Sequence, residues 1–248
     1  MISNVHSHSH WCRHGRGNLE DYVKEGLRCG LQSMAVCEHV ASEMPMGPRM
    51  PWSDMPAYLA EADEVIERYG KQIELFKAFE CEYFPEALER FVQLRDHHDV
   101  PLWILGQHES ADHRYDYFAM QDRDAETRQY TADVIVALNT GFFQLLAHPD
   151  VILVNYDRPT PLVMECMDRI FAECEKLKVA VEINANGLRR PTGYPNREIW
   201  MLSKKYKLTT IISSDAHDPR CLVDDAVRQA EQMAAEWGIE ITPALKLK

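Results

Sequence analysis

A short apolar run, a polar cluster and a longer segment with helical spacing recur seven times along this chain, and that repetition restricts its fold more than any other feature. The runs are ISNVHSH (2–8), SMAVCEH (33–39), IELFKAFECE (73–82), PLWILGQH (101–108), FFQLLAHP (142–149), VAVEINANG (179–187) and LTTIISSDAH (208–217). Between them lie segments with apolar residues three and four apart, such as LEDYVKEGLRCG (19–30), DMPAYLAEADEVIERYG (54–70) and PLVMECMDRIFAECEKLK (161–178). Nearly continuous apolar strands alternating with helices imply a parallel sheet covered by those helices. Seven such units within about 215 residues suit a closed α/β barrel better than an open sheet. No charge run or low-complexity linker divides the sequence, so one domain over 1–248 is expected.

The same pattern locates the polar residues. His6, His8, His39, Glu80, His108, His148, Asp215 and His217 all stand at the carboxyl end of an apolar run. In parallel α/β barrels that rim carries the chemistry, because strand ends converge there and the loops are free to vary. His6 and His8 are two apart on a strand, so both imidazoles point to one face. His14 follows in the loop and can return to a neighbouring ion. Many imidazoles with a minority of carboxylate suit zinc, iron or manganese rather than magnesium or calcium, which prefer oxygen shells. A glutamate ending a strand can bridge two ions. The nine residues (seven His, Glu80 and Asp215) suffice for three divalent ions with three or four protein ligands each. Glu38 and Asp150 adjoin this set and are expected to orient imidazoles from behind. His10, His97, His98 and His113 are expected outside it.

Composition limits the partners. A formal charge of -12 argues against a nucleic-acid surface. Three divalent ions would add about +6 against -2 from Glu80 and Asp215, leaving the centre near +4, which attracts an anionic phosphate ester. No stretch approaches the roughly 20 apolar residues that span a bilayer, and no charged start precedes an apolar run. A cytoplasmic protein without membrane contact is expected. The 7 cysteines include no CxxC pair and read as free thiols. Cys12 and Ser214 lack a paired base at readable spacing and are expected to be structural.

HSHSHWCRHG (6–15), CEH (37–39), FECEYFP (79–85), LGQH (105–108), AHPD (147–150), EINANGLR (182–189) and SSDAH (213–217) together resemble the PHP (polymerase and histidinol phosphatase) family, in its monofunctional histidinol-phosphatase branch. The resemblance covers nearly the whole chain. It implies a distorted (β/α)7 TIM-like barrel, the PHP fold, with a trinuclear metal site. One ion would be held by His6, His8, Glu80 and Asp215, and a second by Glu80, His108 and His148. A third would take His14, His39 and His217, with His14 standing where many members carry Asp. Amidohydrolases also open on HxH, but they bridge their metals with a lysine at the fourth strand, where this chain has LGQH.

The implied reaction is hydrolysis of L-histidinol phosphate to L-histidinol and phosphate, a step of histidine biosynthesis. The alternative is a PHP phosphoesterase of other specificity, either a general phosphomonoesterase or a nucleotide phosphodiesterase. Glu80, Asp215 and Arg189 would be catalytic, with a hydroxide shared by the two Glu80-linked ions attacking phosphorus. The family places a phosphate-contacting arginine at Arg189; Arg13 and Arg190 are further candidates, and Glu182 is read either as meeting a substrate amine or, equally, as orienting a ligand from behind. The segment VASEMPMGPRMPW (40–52) is expected to fold over the mouth of the site, with Arg49 touching substrate.

Overall fold

Alternate residues of each apolar run face two different apolar layers, and this requirement makes the runs strands. The computed structural model describes residues 1–41 and 49–247. Its strands are β1 (Ser3–Asn4), β2 (Ser33–His39), β3 (Glu74–Cys81), β4 (Leu102–Leu105), β5 (Leu145–Leu146), β6 (Ala180–Asn184) and β7 (Thr210–Ser213). They pair in chain order, all parallel, in one seven-stranded sheet. Outside the sheet lie α1 (Leu19–Arg28), α2 (Met55–Tyr69), α3 (Leu88–His98), α4 (Arg123–Asn139), α5 (Pro161–Leu177), α6 (Arg197–Ser203) and α7 (Asp225–Trp237). This is the seven-unit α/β barrel that the periodicity predicts.

Period two decides which side chains enter the barrel. Ala35, Cys37, Ala78, Ile104, Leu145 and Ile211 share an inner apolar core, while Val36, Phe79, Trp103, Leu146 and Val181 face the helices. The interior takes small residues because seven strands leave little room at the axis. The same alternation carries His39 and Glu80 inward, since they follow Cys37 and Ala78 by two positions. His39 and Glu80 are also register partners across β2 and β3, so the two stand at one height. At the other end, where strands begin, the C-terminal tail packs Leu245 and Leu247 on the inner core, and the Thr242 N–H donates to the Thr210 carbonyl at 2.8 Å.

The strands are shorter than their runs, and the difference lies at the rim. β1 ends at Asn4, so His6 and His8 lie beyond regular pairing. The seam with the last strand is still closed: the Asp215 N–H donates to the His6 carbonyl (2.9 Å) and the His8 N–H to the Ala216 carbonyl (2.7 Å). His148 and Asp215 adopt φ of +27° and +44°. Left-handed backbone at a non-glycine residue costs roughly 1–3 kcal/mol and persists only where surroundings hold it. Here it ends the strands and turns both side chains toward the barrel axis. Of the segment expected to cover the site, residues 42–48 lie outside the described residues; Arg49 and Met50 are within them, and Met50 is fully buried.

Asn4 ties this seam from inside. Its Oδ1 accepts from the Ser214 N–H at 2.8 Å, and its Nδ2 donates to the His6 carbonyl at 3.2 Å. Asn4→Ala strands a buried amide, and unfolding in urea should reveal a loss of about 1–3 kcal/mol. A loss under about 0.5 kcal/mol would mean that the seam does not depend on this side chain.

Candidate metal centre

The rim histidines meet in pairs through their Nε2 atoms. His6 and His8 approach to 3.0 Å, His108 and His148 to 3.3 Å, and His14 and His217 to 3.0 Å. Most of these rings are held by a hydrogen bond at the other nitrogen. Nδ1 of His6 faces Glu182 (2.8 Å), that of His8 faces Glu38 (3.2 Å) and that of His108 faces Glu82 (2.8 Å). The Nδ1 atoms of His14 and His217 face the carbonyls of Cys12 (2.8 Å) and Asp215 (3.1 Å). An acceptor at Nδ1 places the proton there and leaves the Nε2 lone pair bare. Two bare lone pairs about 3 Å apart repel unless a cation lies between them, and two nitrogens each about 2.0–2.1 Å from one ion have this separation.

Glu80 joins the pairs. Its Oε1 lies 2.9 Å from His148 Nε2, whereas Oε2 lies 3.3 Å from Nε2 of both His6 and His8. One carboxylate therefore presents a different oxygen to each of two imidazole pairs. Asp215 Oδ1 stands 3.4 Å from His8 Nε2 and 3.7 Å from His6 Nε2, while Asn184 and Asn186 donate to its Oδ2 at 3.2 Å each. His39 stacks on His8 with centroids 3.9 Å apart. Its Nδ1 comes within 2.9 Å of Glu80 Oε2 yet out of line for a hydrogen bond. Gly106 makes room for the bridge, because a Cβ there would fall 2.0 Å from Glu80 Oε1.

Among the described residues, four sets have donor atoms close enough for one cation: His6–His8–Glu80, Glu80–His108–His148, His8–His39–His217 and Cys12–His14–His217. The first two are the expected groups, with Asp215 beside the first. His14, His39 and His217 do not form a single set; His217 is common to two sets that divide the other two residues. The donors are borderline nitrogens with two carboxylates and, in the fourth set, the sulfur of Cys12, a residue expected to be structural; the mixture fits zinc, iron or manganese.

Charge favours cations here as well. Burial alone would raise the Glu80 and Asp215 carboxyls, but the facing imidazoles, His6 foremost, hold both well below the usual carboxylate range. Burial pushes His6 and His8 down, and the surrounding carboxylates outweigh it and raise both. His217, buried beside His8, is pushed down to about 3. Burial likewise pushes His14 and His39 down, so the negative potential that a divalent ion would satisfy is concentrated at His6 and His8, between Glu80 and Asp215.

The remaining expected residues separate. Arg190 lines the cavity above the floor, whose volume is about 560 Å³, together with Arg49, Asn186, Thr192, Tyr194 and Phe118. Arg189 does not. Its guanidinium binds Asp224 and the carbonyls of Ser214 and Cys221, pinning the end of the last strand to the start of α7. The short 3-10 turn at 185–189 directs neighbouring arginines oppositely, so the expectation of a cavity-facing Arg189 is corrected to Arg190. Arg13 is exposed and paired with Asp54. Glu182 is fully buried and engaged by His6, by the His148 N–H and by Asn184, so it orients ligands instead of meeting a substrate amine.

Asp150 hydrogen-bonds no imidazole among the described residues; its Oδ2 accepts from the Asn196 and Trp200 N–H groups and anchors α6. Glu38 does orient an imidazole, as expected. His97 and His98 are exposed, and His113 pairs with Glu86. Sequence reasoning missed Glu82, Asn184 and Asn186. The alternation in FECE and EINAN was the available signal, since residues two beyond an inward ligand share its face.

A parallel α/β barrel that gathers imidazole pairs around a shared carboxylate at its carboxyl rim is a metal-binding barrel of the hydrolase kind. The chain belongs to the PHP domain family, which matches residues 4–186. It is 22% identical to a probable histidinol-phosphatase of Deinococcus radiodurans over 237 residues, covering 88% of this chain and 87% of that one. Identity to a probable histidinol-phosphatase of Schizosaccharomyces pombe is 22% over 249 residues, covering 87% and 81%. In fold it matches the histidinol phosphate phosphatase of Lactococcus lactis, solved with zinc, L-histidinol and phosphate, at a TM-score of 0.78 and 18% identity, covering 97% and 95%.

Both Glu80→Gln and Gly106→Ala should lower bound metal by at least one ion per chain, the first by removing the shared charge and the second by displacing the carboxylate. Elemental mass spectrometry of protein purified without chelator checks this. Metal content equal to that of the parent in Glu80→Gln would contradict the bridge.

Proposed function

We propose that this chain is a metal-dependent phosphomonoesterase that hydrolyses L-histidinol phosphate to L-histidinol and phosphate, acting in the cytoplasm in histidine biosynthesis. The observation that carries the reading is the set of three Nε2 pairs around Glu80 and Asp215 beneath a cavity bearing two arginines. Three divalent ions, zinc, iron or manganese, would be held by His6, His8, His14, His39, Glu80, His108, His148, Asp215 and His217. Bound there, they would supply Lewis acidity and a water acidic enough to act as hydroxide near neutral pH. The relative solved with zinc, L-histidinol and phosphate supports the substrate.

The chain's own residues do the rest. Glu182, Glu38 and Glu82 hold imidazoles in the tautomer that coordinates, and Asn184 and Asn186 hold Asp215. Arg190 reaches the cavity from the β6 side, and its planar fork matches two phosphoryl oxygens. Arg49, half-buried and bonded to Glu82 at 3.2 Å, brings a second positive charge to the same cavity. Together they offset the charge that accumulates on the phosphoryl oxygens as the P–O bond breaks.

One observation favours the second reading, a PHP phosphoesterase of other specificity. Among the described residues, the cavity presents no carboxylate beyond Glu80 and Asp215 to receive the amine of histidinol. Comparing kcat/KM for L-histidinol phosphate, phenyl phosphate and glycerol 2-phosphate decides between them. The first reading expects L-histidinol phosphate to lead, and Arg190→Ala to lower its kcat/KM by about 100-fold. Equal values for all three esters would sink the biosynthetic assignment.

Imidazole coordinates only when neutral. Metal occupancy and turnover should therefore hold above the ordinary histidine pKa of about 6.5 and fall together as pH drops below it. Full occupancy at about pH 4.5, measured by dialysis and elemental analysis, would contradict a histidine-dominated centre.

A further inference from the structure

Phe118 is 48% exposed, and nothing in its loop is slack enough to account for that. Its neighbour Tyr117 is buried; the Tyr117 hydroxyl donates to Asp133, and its carbonyl accepts from Asn155 Nδ2 at 2.7 Å. The Tyr117 N–H donates to the His108 carbonyl at 2.8 Å, and the Phe118 N–H to Asp116 Oδ1 at 2.8 Å. A tightly anchored loop thus presents an aromatic ring to the cavity mouth, where hydration of apolar surface is unfavourable.

The presentation is also oriented. The Phe118 ring lies nearly parallel to the His108 imidazole, with centroids 5.1 Å apart and planes at 14°. Its ring therefore has a fixed plane directly beside a metal-holding residue. The cavity it lines also includes Val154 and Tyr194, the latter with its ring 6.4 Å from that of His148. A ligand with its anionic end among the imidazoles would bring its other end beside the Phe118 ring. Flat rings gain from offset or parallel contact with an aromatic face, beyond the area they bury.

We propose that Phe118 is the platform on which the ring of the ester's alcohol part stacks. The proposal rests on the phosphomonoesterase reading and adds the residue that selects the leaving group. A different role would be purely structural, with Phe118 shielding His108 from solvent. Phe118→Leu separates the two, since leucine keeps the apolar cover but loses the flat face. Phe118→Trp keeps the face.

The test measures kcat and KM for L-histidinol phosphate, phenyl phosphate and glycerol 2-phosphate in the metal-loaded full chain, with metal content as a second readout. In Phe118→Leu, KM for the two ring-bearing esters should rise about 3- to 10-fold. KM for glycerol 2-phosphate and the metal content should stay at parental values, and Phe118→Trp should restore the ring-bearing KM. Equal losses on all three esters, with metal lost, would establish the shielding role and overturn the platform. Unchanged KM values throughout overturn it too. A parent chain that binds its ions but hydrolyses none of the three esters overturns the phosphomonoesterase reading and the platform with it, an outcome distinct from failure of the platform alone.

Discussion

The structure depends on a buried charge, the Glu80 carboxylate, which is 1% exposed near the axis of the barrel. An isolated carboxylate in such a place is costly and would take up a proton. Here it remains ionised because imidazoles from the ends of several strands face its two oxygens, and because Gly106 on the neighbouring strand leaves space for it. Remove the cationic surroundings and the interior holds an uncompensated charge; supply divalent ions and the same residues become a coordination shell. The barrel thus brings the strand ends together at the one place where that compensation is needed.

Around this centre, a second layer of carboxylates does what the ligands cannot do for themselves. Glu182, Glu38 and Glu82 each receive an imidazole Nδ1 and so fix both ring orientation and tautomer. Metal-binding histidines depend on such partners for affinity. Arg189 contributes at longer range by holding the loop after β7 to α7, which keeps Asp215 in its left-handed backbone conformation. The chain's net charge of -12 does not by itself set the field inside the cavity, which Arg49 and Arg190 line.

The cavity brings charged and apolar groups together. Imidazoles, carboxylates and arginines line it beside Phe118, Val154 and Tyr194. The apolar residues come from segments that cross the rim, one of them anchored through Tyr117 and Asp133. Such a lining suits a ligand with a charged group at one end and a larger body at the other. It also explains why loops on a common barrel can change the alcohol recognised without disturbing the chemistry of phosphorus.

Much of this was legible in the residues taken in order. Alternation along SMAVCEH and IELFKAFECE determined which side chains enter the barrel, so His39 and Glu80 were readable as facing residues, and six of seven runs ended in a ligand-type group. Period-two geometry is a property of the backbone and needs no partner. The identities of the pairs were not legible, nor was the direction of each arginine. Nothing in NGLRR says that the first arginine turns to Asp224 and the second to the cavity, and nothing in FECEY says that Glu82 serves His108. The division of His14 and His39 between two sets is likewise a matter of where loops from separate units meet. The local chain determined which residues reach the rim; only closure of the barrel, which sets distances between residues as far apart as His14 and His217, 203 positions along the chain, decided which of them touch.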